Sequence, residues 1–166
     1  RRQRQMCIRD RIGTGKEVTG AHGITVKADL TFKEADFSDS EWLILPGGMP
    51  GATNLAADEA LRALLKLHKG KIAAICASPG VVLAPLGLLE GRQVTCYPGF
   101  DAECRKHGAI MRDVPVMALN DLITGNGPSA ALRFALAIVA NSLGESTAQQ
   151  VGGAMLFYPK TMNFYF

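Results

Sequence analysis

Apolar and polar positions alternate with two different rhythms along this chain. Residues 23–30, GITVKADL, place β-branched side chains at alternate positions and predict a short strand, followed by a polar connection, TFKEADFSDS. Residues 41–48, EWLILPGG, are instead a continuous apolar run closed by Pro46, Gly47 and Gly48, the pattern of a parallel strand buried on both faces. Asp58 as an N-cap, Leu61, Leu64, Leu65 and His68 at helical spacing, and Gly70 as a stop predict a helix over 58–69, with His68 facing solvent or capping the helix end. Residues 72–76 read as a second buried strand, and ASPGVVLAPLGLL as the opening of a helix that Pro85 bends or shortens.

The same rhythm continues. QVTCY at 93–97 predicts a further short strand, and VPVMALNDLITG a hairpin turning at Asn120 and Asp121. Ser129 is placed to cap a long helix whose apolar stripe is Leu132, Ala135, Leu136, Val139 and Leu143, ending at Gly144, and a last helix covers about 146–156. Buried strands alternating with helices predict an α/β domain over 12–157, a mostly parallel sheet covered on both faces. Right-handed crossovers then set the C-terminal strand ends along one edge, where such sheets bind ligands. The PGG after Leu45 and Cys76 after Ile75 both fall there.

The 166 residues, 48% apolar and 20% charged, suit one domain with a sizeable core. No apolar run reaches the ~18–20 residues of a membrane span, and the N-terminus lacks the apolar centre of a secretory signal, so no membrane partner and a cytoplasmic location are expected. The formal charge of +3 is unevenly spread: RRQRQMCIRDR at 1–11 carries five arginines against one aspartate, net +4, which leaves the rest at −1. There is no basic body for nucleic acid. Residues 1–11 are read as a non-native or artefactual head and 158–166 as an aromatic tail. Cys7, Cys76, Cys96 and Cys104 form neither a disulfide framework nor paired zinc knuckles, and Cys96, Cys104 and His107 lack a fourth ligand, so no metal is expected. Cys96 remains a candidate resolving thiol for an oxidised Cys76. GTGKE fails the P-loop spacing and GGMPG the dinucleotide fingerprint, so no cofactor is implied.

Cys76 is the candidate for chemistry. A cysteine at the end of a buried strand, met at once by the first turn of a helix, has N–H groups and the positive end of a helix dipole near its sulfur, which favour thiolate. The geometry is that of a nucleophile elbow, and Ala77, Ser78 and Gly80 are small enough for it. Taken alone, Cys76 reads equally as a small buried hydrophobe, and PGG as an ordinary tight turn. Gly47 and Gly48 would let the backbone approach a ligand and aim N–H groups at a developing oxyanion.

Together, LILPGGMPGATNL, AAICASPGVVLAPLGLL, VTCYPGF and ITGNGPSAALRFALAIV resemble, in order, successive segments of the ThiJ/PfpI superfamily, in the branch of the Parkinsonism-associated protein deglycase. The likeness runs from about Val18 to Leu156. It implies a flavodoxin-like three-layer α/β sandwich, similar to class I glutamine amidotransferases, a homodimer, and a nucleophilic, oxidation-sensitive cysteine at Cys76. It further implies Gly48 and Ala77 as backbone donors near the sulfur, a pocket lined by Gly127 and Pro128, and His22 presented across a dimer interface.

Departures from the pattern matter as well. The family's first strand-loop-helix, with a glutamate that bonds the cysteine, has no match ahead of VTGAHG, so an N-terminally truncated fold is expected, and Glu17 does not take that role. Tyr97 stands where some members place a histidine near the cysteine. Ala77 replaces the histidine of the peptidase branch, and His107-Gly108-Ala109 lacks the His-x-Glu of an amidotransferase. The expected function is cofactor-independent detoxification of a small reactive carbonyl, methylglyoxal to lactate, with Cys76 as nucleophile. The alternative is a non-catalytic redox sensor or chaperone acting through oxidation of Cys76.

Overall fold

The computed structural model describes residues 12–157 except Thr14 and Ala21. The expectations for a head at 1–11 and a tail at 158–166 lie outside the described residues. The chain forms two compact units, residues 1–40 and 41–166.

The first unit carries four short strands: β1 (Ile12–Gly13), β2 (Glu17–Thr19), β3 (Thr25–Lys27) and β4 (Leu30–Thr31). β1 pairs with β4 in parallel, and β2 with β3 as an antiparallel hairpin. The single strand expected at 23–30 is therefore divided between two pairings. Gly23, at φ +76, turns the chain before β3, with Gly20 N donating to Ile24 O at 2.8 Å. All residues of β2 and β3 are exposed, so no buried face enforces one long strand.

The second unit runs β5 (Trp42–Leu45), α1 (Gly51–Ala57), α2 (Glu59–Leu67), β6 (Lys71–Ile75), a π-helical turn Pro79–Leu83 passing into a 3₁₀ turn Ala84–Leu86, β7 (Gln93–Val94), α3 (Asp101–Lys106), β8 (Ile110–Met111), β9 (Val116–Ala118), β10 (Leu122–Gly125), a 3₁₀ turn Pro128–Ala130, α4 (Ala131–Leu143) and α5 (Glu145–Ala154). The main sheet has the order β5-β6-β10-β9. Its first three strands are parallel and β9 returns antiparallel through the expected hairpin. β7 and β8 form a separate parallel pair. This is the flavodoxin-like α/β arrangement. Among the described residues no helix is long and apolar enough to cross a membrane.

One face of the sheet, Ala73, Val116, Ala118 and Ile123, packs against Ala130 and against Phe134 and Ala137 at the start of α4. The stripe expected on α4 is rotated. Phe134, Leu136, Ala137 and Ala140 are buried, whereas Leu132 and Leu143 are half exposed, because the bulky Phe134 ring sets the helix's seat on the sheet. Ser129 lies within the 3₁₀ turn and does not cap α4. β5 is not buried on both faces: Leu43 and Leu45 are buried, but Ile44 between them is 49% exposed. As an edge strand of this sheet, β5 alternates. Asp58 caps α2 as expected, accepting from Leu61 N at 2.9 Å. The helix ends at His68, whose Nε2 is buried without a hydrogen-bond partner among the described residues, so the ring does not face solvent. Gly70 makes room for it, since a Cβ there would lie 2.6 Å from Nε2. No regular helix follows Cys76. Ala84 N bonds to Pro79 O, five residues back, and Pro85 has no N–H with which to continue. The shortness of α1, α3 and β8 hid them from periodicity.

Two polar clusters fix this framework. At the strand starts Lys71 Nζ donates to Glu41 Oε1 at 3.0 Å and to Asn141 Oδ1 at 2.8 Å. Ser142 Oγ donates to Glu41 Oε1 at 2.9 Å and accepts from Trp42 Nε1 at 2.7 Å, tying the end of α4 to β5 and β6. Nearer the strand ends, the fully buried Thr124 Oγ1 accepts from Thr95 N at 2.9 Å, while Thr95 Oγ1 donates to Val114 O at 2.9 Å. This bond holds the segment after β7 against β10.

The Lys71 hydrogen bond holds the Glu41 carboxyl below its ordinary value of 4.5. Its stabilisation is present above that value and is lost as pH falls through the lower folded-state value. Glu41 is 55% exposed, so water screens most of the attraction. E41Q is expected to cost about 0.5 kcal/mol at pH 7 in urea unfolding, with the difference from wild type closing as pH falls below the ordinary carboxyl value of 4.5. Thr124→Val keeps the volume but leaves Thr95 N–H buried and unpaired, and is expected to cost about 1–3 kcal/mol in the same measurement, independently of pH between 5 and 8.

Candidate functional site

β6 lies between β5 and β10, and their register puts three strand ends side by side. Leu45 is level with Ala74, and Gly125 with Ile75. The chain therefore leaves β6 at Cys76 with Pro46 and Gly47 on one side and Asn126, Gly127 and Pro128 on the other. Cys76 itself has φ +65, in the left-handed region that L residues avoid at a cost of about 1–2 kcal/mol. Its N–H donates to Gly125 O at 2.9 Å, and its carbonyl accepts from Tyr97 N at 2.9 Å. The residue is held by the last residue of β10 and by the segment after β7 and is only partly buried, which is the arrangement of a nucleophile elbow.

The wall around the sulfur is mostly main chain. A Cβ on Gly47 would lie 2.4 Å from Cys76 Cβ and 3.1 Å from its Sγ, so glycine is required where this backbone crosses the cysteine. Gly48 follows at φ +86, in the left-handed region that favours glycine, although a Cβ there would meet no atom within 4 Å. Ala77 is 1% exposed and Ser78 fully buried, and Ser78 Oγ donates to Pro46 O, binding the elbow to the PGG loop. Tyr97 is half exposed, and its ring lies 3.2 Å from where a Gly127 Cβ would be. Pro128 is exposed at the start of its 3₁₀ turn.

The fold thus gathers Cys76, Gly47, Ala77, Tyr97 and Gly127 around one strand end, with Gly48 and Pro128 next in the flanking loops. His22 belongs to the unit 1–40, where it is exposed in the turn between β2 and β3. Sequence reading named Ser78 and Gly80 as small enough for the turn but missed the contacts they make, and it missed Gly125. A Cβ on Gly125 would meet Ile75 Cγ1 at 2.9 Å, and one on Gly80 would meet Phe100 O at 2.8 Å. The clue was the run of small residues after Cys76 and the glycines closing the neighbouring strands, a sign of backbone packed on backbone. Among the described residues no group of three or more His, Cys, Asp or Glu side chains could hold a metal, and His107 Nε2 lies 3.0 Å from Glu103 Oε1. A cavity of about 160 Å³ lined by Leu65, His68, Ile72, Arg92 and Asp121 sits at the opposite, N-terminal ends of β6 and β10 and is not part of this site.

Comparison with known proteins agrees with this fold. The model of the DJ-1/PfpI family matches residues 6–141. Protein DJ-1 homolog B of Arabidopsis thaliana is 34% identical over 148 residues, which cover 87% of this chain but 33% of that protein. The deglycase PH1704 of Pyrococcus horikoshii is 31% identical over 114 residues, 68% of each chain. The chain thus spans about a third of the plant relative's length. Among solved structures, oxidized Toxoplasma gondii DJ-1 superposes with a TM-score of 0.82 at 33% identity, covering 89% of this chain and 82% of that one. A strand-end cysteine in a left-handed turn, a glycine pressed against it, and a family match running through both loops assign this chain to the DJ-1/PfpI family.

Proposed function

We propose that the chain is a cysteine-dependent enzyme that converts small reactive carbonyls without a cofactor, in the manner of a deglycase or a glyoxalase of the methylglyoxal-to-lactate type. The observation that carries this reading is the left-handed backbone at Cys76, a partly buried residue at the end of β6 between two glycine loops. The relative named a deglycase supports it.

The reaction needs few parts. Cys76 thiolate adds to the aldehyde carbon of methylglyoxal, forming a C–S bond and placing the negative charge on oxygen. Backbone N–H groups of Gly48 and Ala77 stabilise that charge, and Gly127, Pro128 and Tyr97 confine the substrate. A proton leaves the former aldehyde carbon and is returned to its neighbour, which converts the hemithioacetal to a thioester of lactate. Water then cleaves the C–S bond, releasing lactate and the thiol. In the same reading the protein works as a cytoplasmic homodimer in which His22 approaches the partner's site.

A second reading, a redox sensor or chaperone, is favoured by the solved oxidized form of a relative. Titration with peroxide separates the two, because a sensor oxidises selectively at Cys76 while carbonyl turnover stays at background.

C76S is expected to bring methylglyoxal consumption to background while leaving the far-UV circular dichroism unchanged; undiminished consumption would overturn the enzymatic reading. G47A and G48A separate contact from backbone preference. G47A drives a methyl group into Cys76 and is expected to cost about 1–3 kcal/mol and most of the turnover, whereas G48A meets only the left-handed penalty of about 1–2 kcal/mol. Urea melts and initial rates on both variants check the order.

A further inference from the structure

The cavity at the N-terminal ends of β6 and β10, remote from Cys76, joins an apolar wall to a charged rim. Its volume is about 160 Å³, and it is lined from the end of α2, β6, the start of β10 and the segment 83–92. Leu65, Leu83 and Leu122 are buried and form the wall. Lys66 and Asp121 are exposed and, with the half-buried Arg92, form the rim.

Main chain bounds this space on several sides. Ile72 N donates to Asp121 O at 3.0 Å, Arg92 N to Leu89 O at 3.1 Å, and Ile110 N to Arg92 O at 2.8 Å. Gly70, which also lines the cavity, has no room for a side chain: a Cβ there would lie 2.6 Å from His68 Nε2 and 2.7 Å from Glu41 O. The shape is therefore set by the strand starts and the end of α2 rather than by side-chain rotamers alone.

The polar groups of the lining are not all tied into the fold. Arg92 reaches Asp121 through one terminal nitrogen, so a guanidinium with five N–H groups keeps donors for a further acceptor. Lys66, in the last turn of α2, adds a second cation. His68 Nε2, beside Gly70, has no hydrogen-bond partner among the described residues. Two cations and one carboxylate in the lining favour a monoanion.

We infer that this cavity is a binding site for a small monocarboxylate with a compact apolar body, the body against the leucine wall and the carboxylate on Arg92 and Lys66. Volume sets the first half of that description. A protein cavity of about 150 Å³ lined by aliphatic and aromatic side chains takes up benzene, so a body of about six carbons fits. Charge sets the second half. Guanidinium donors pair with a carboxylate in a fixed fork, while Asp121, beside Arg92, repels a phosphate dianion more than a carboxylate, and phosphate offers the leucines no apolar surface. The site lies at the opposite strand ends from Cys76 and does not depend on the carbonyl chemistry proposed above.

The test titrates the full chain with sodium benzoate, with benzyl alcohol, which keeps the ring without the charge, and with inorganic phosphate, following backbone amide resonances. Benzoate is expected to shift His68, Gly70, Ile72 and Leu122 saturably while Cys76 and Gly47 stay in place. Benzyl alcohol and phosphate are expected to bind about tenfold more weakly, the ratio that one charge-assisted contact supplies. R92Q is expected to bring benzoate down to the level of benzyl alcohol. D121N removes the competing carboxylate from an exposed position and is expected to tighten benzoate severalfold with benzyl alcohol unchanged, a gain that no loss of folding can imitate. Absence of saturable shifts, shifts centred on Cys76 and Gly47, equal affinity for benzoate and benzyl alcohol, or a D121N chain that binds benzoate no more tightly would each overturn the site.

Discussion

A non-glycine residue in the left-handed region relaxes unless its neighbours hold it, and at the end of β6 three do so. Gly125 O takes the N–H of Cys76, Tyr97 N meets its carbonyl, and Gly47 presses against its Cβ. Each belongs to a different part of the chain: the last residue of β10, the segment after β7 and the loop after β5. The conformation of one residue therefore requires correct pairing of β5, β6 and β10 and correct placement of the segment beside them. Strain of this kind persists only where the surrounding structure over-determines it.

The means of that placement lie elsewhere in the molecule. Glu41, Lys71, Asn141, Ser142 and Trp42 bind the starts of β5 and β6 to the end of α4, at the far end of the strands from Cys76. Thr95 and Thr124 align the Tyr97 segment from within the core. Register is thus set by polar contacts that do not touch the sulfur. Among the described residues, Ser78 joins the elbow directly to the loop after β5 by a side-chain hydrogen bond.

The sequence made the site legible where composition and geometry coincide. The apolar runs before Pro46 and Cys76 located both strand ends, because short parallel strands are marked by abrupt loss of apolar character at their C-termini. The hairpin at Asn120 and Asp121, the cap at Asp58 and the last helix were readable for equally local reasons. What failed were the features set by tertiary context. The rotation of α4 follows from Phe134 seeking the sheet, the alternation of β5 from its edge position, and the π-helical turn after Cys76 from the spacing of Pro79 and Pro85. The burial of His68 depends on the missing side chain at Gly70, a vacancy that helix periodicity does not register. Motif resemblance brought in the remaining site residues, since no periodic signal points to Gly127, Pro128 or Tyr97.

Walls of glycine have an evolutionary corollary. Gly47 and Gly125 leave no room for larger side chains beside the strand end, so point substitution there is closed as a route to new substrate preference. Tyr97 is different: its half-exposed ring is a replaceable surface on a fixed stem. Divergence of selectivity in a site built this way is channelled into one variable position and the lengths of the surrounding loops, while the backbone beneath stays constant.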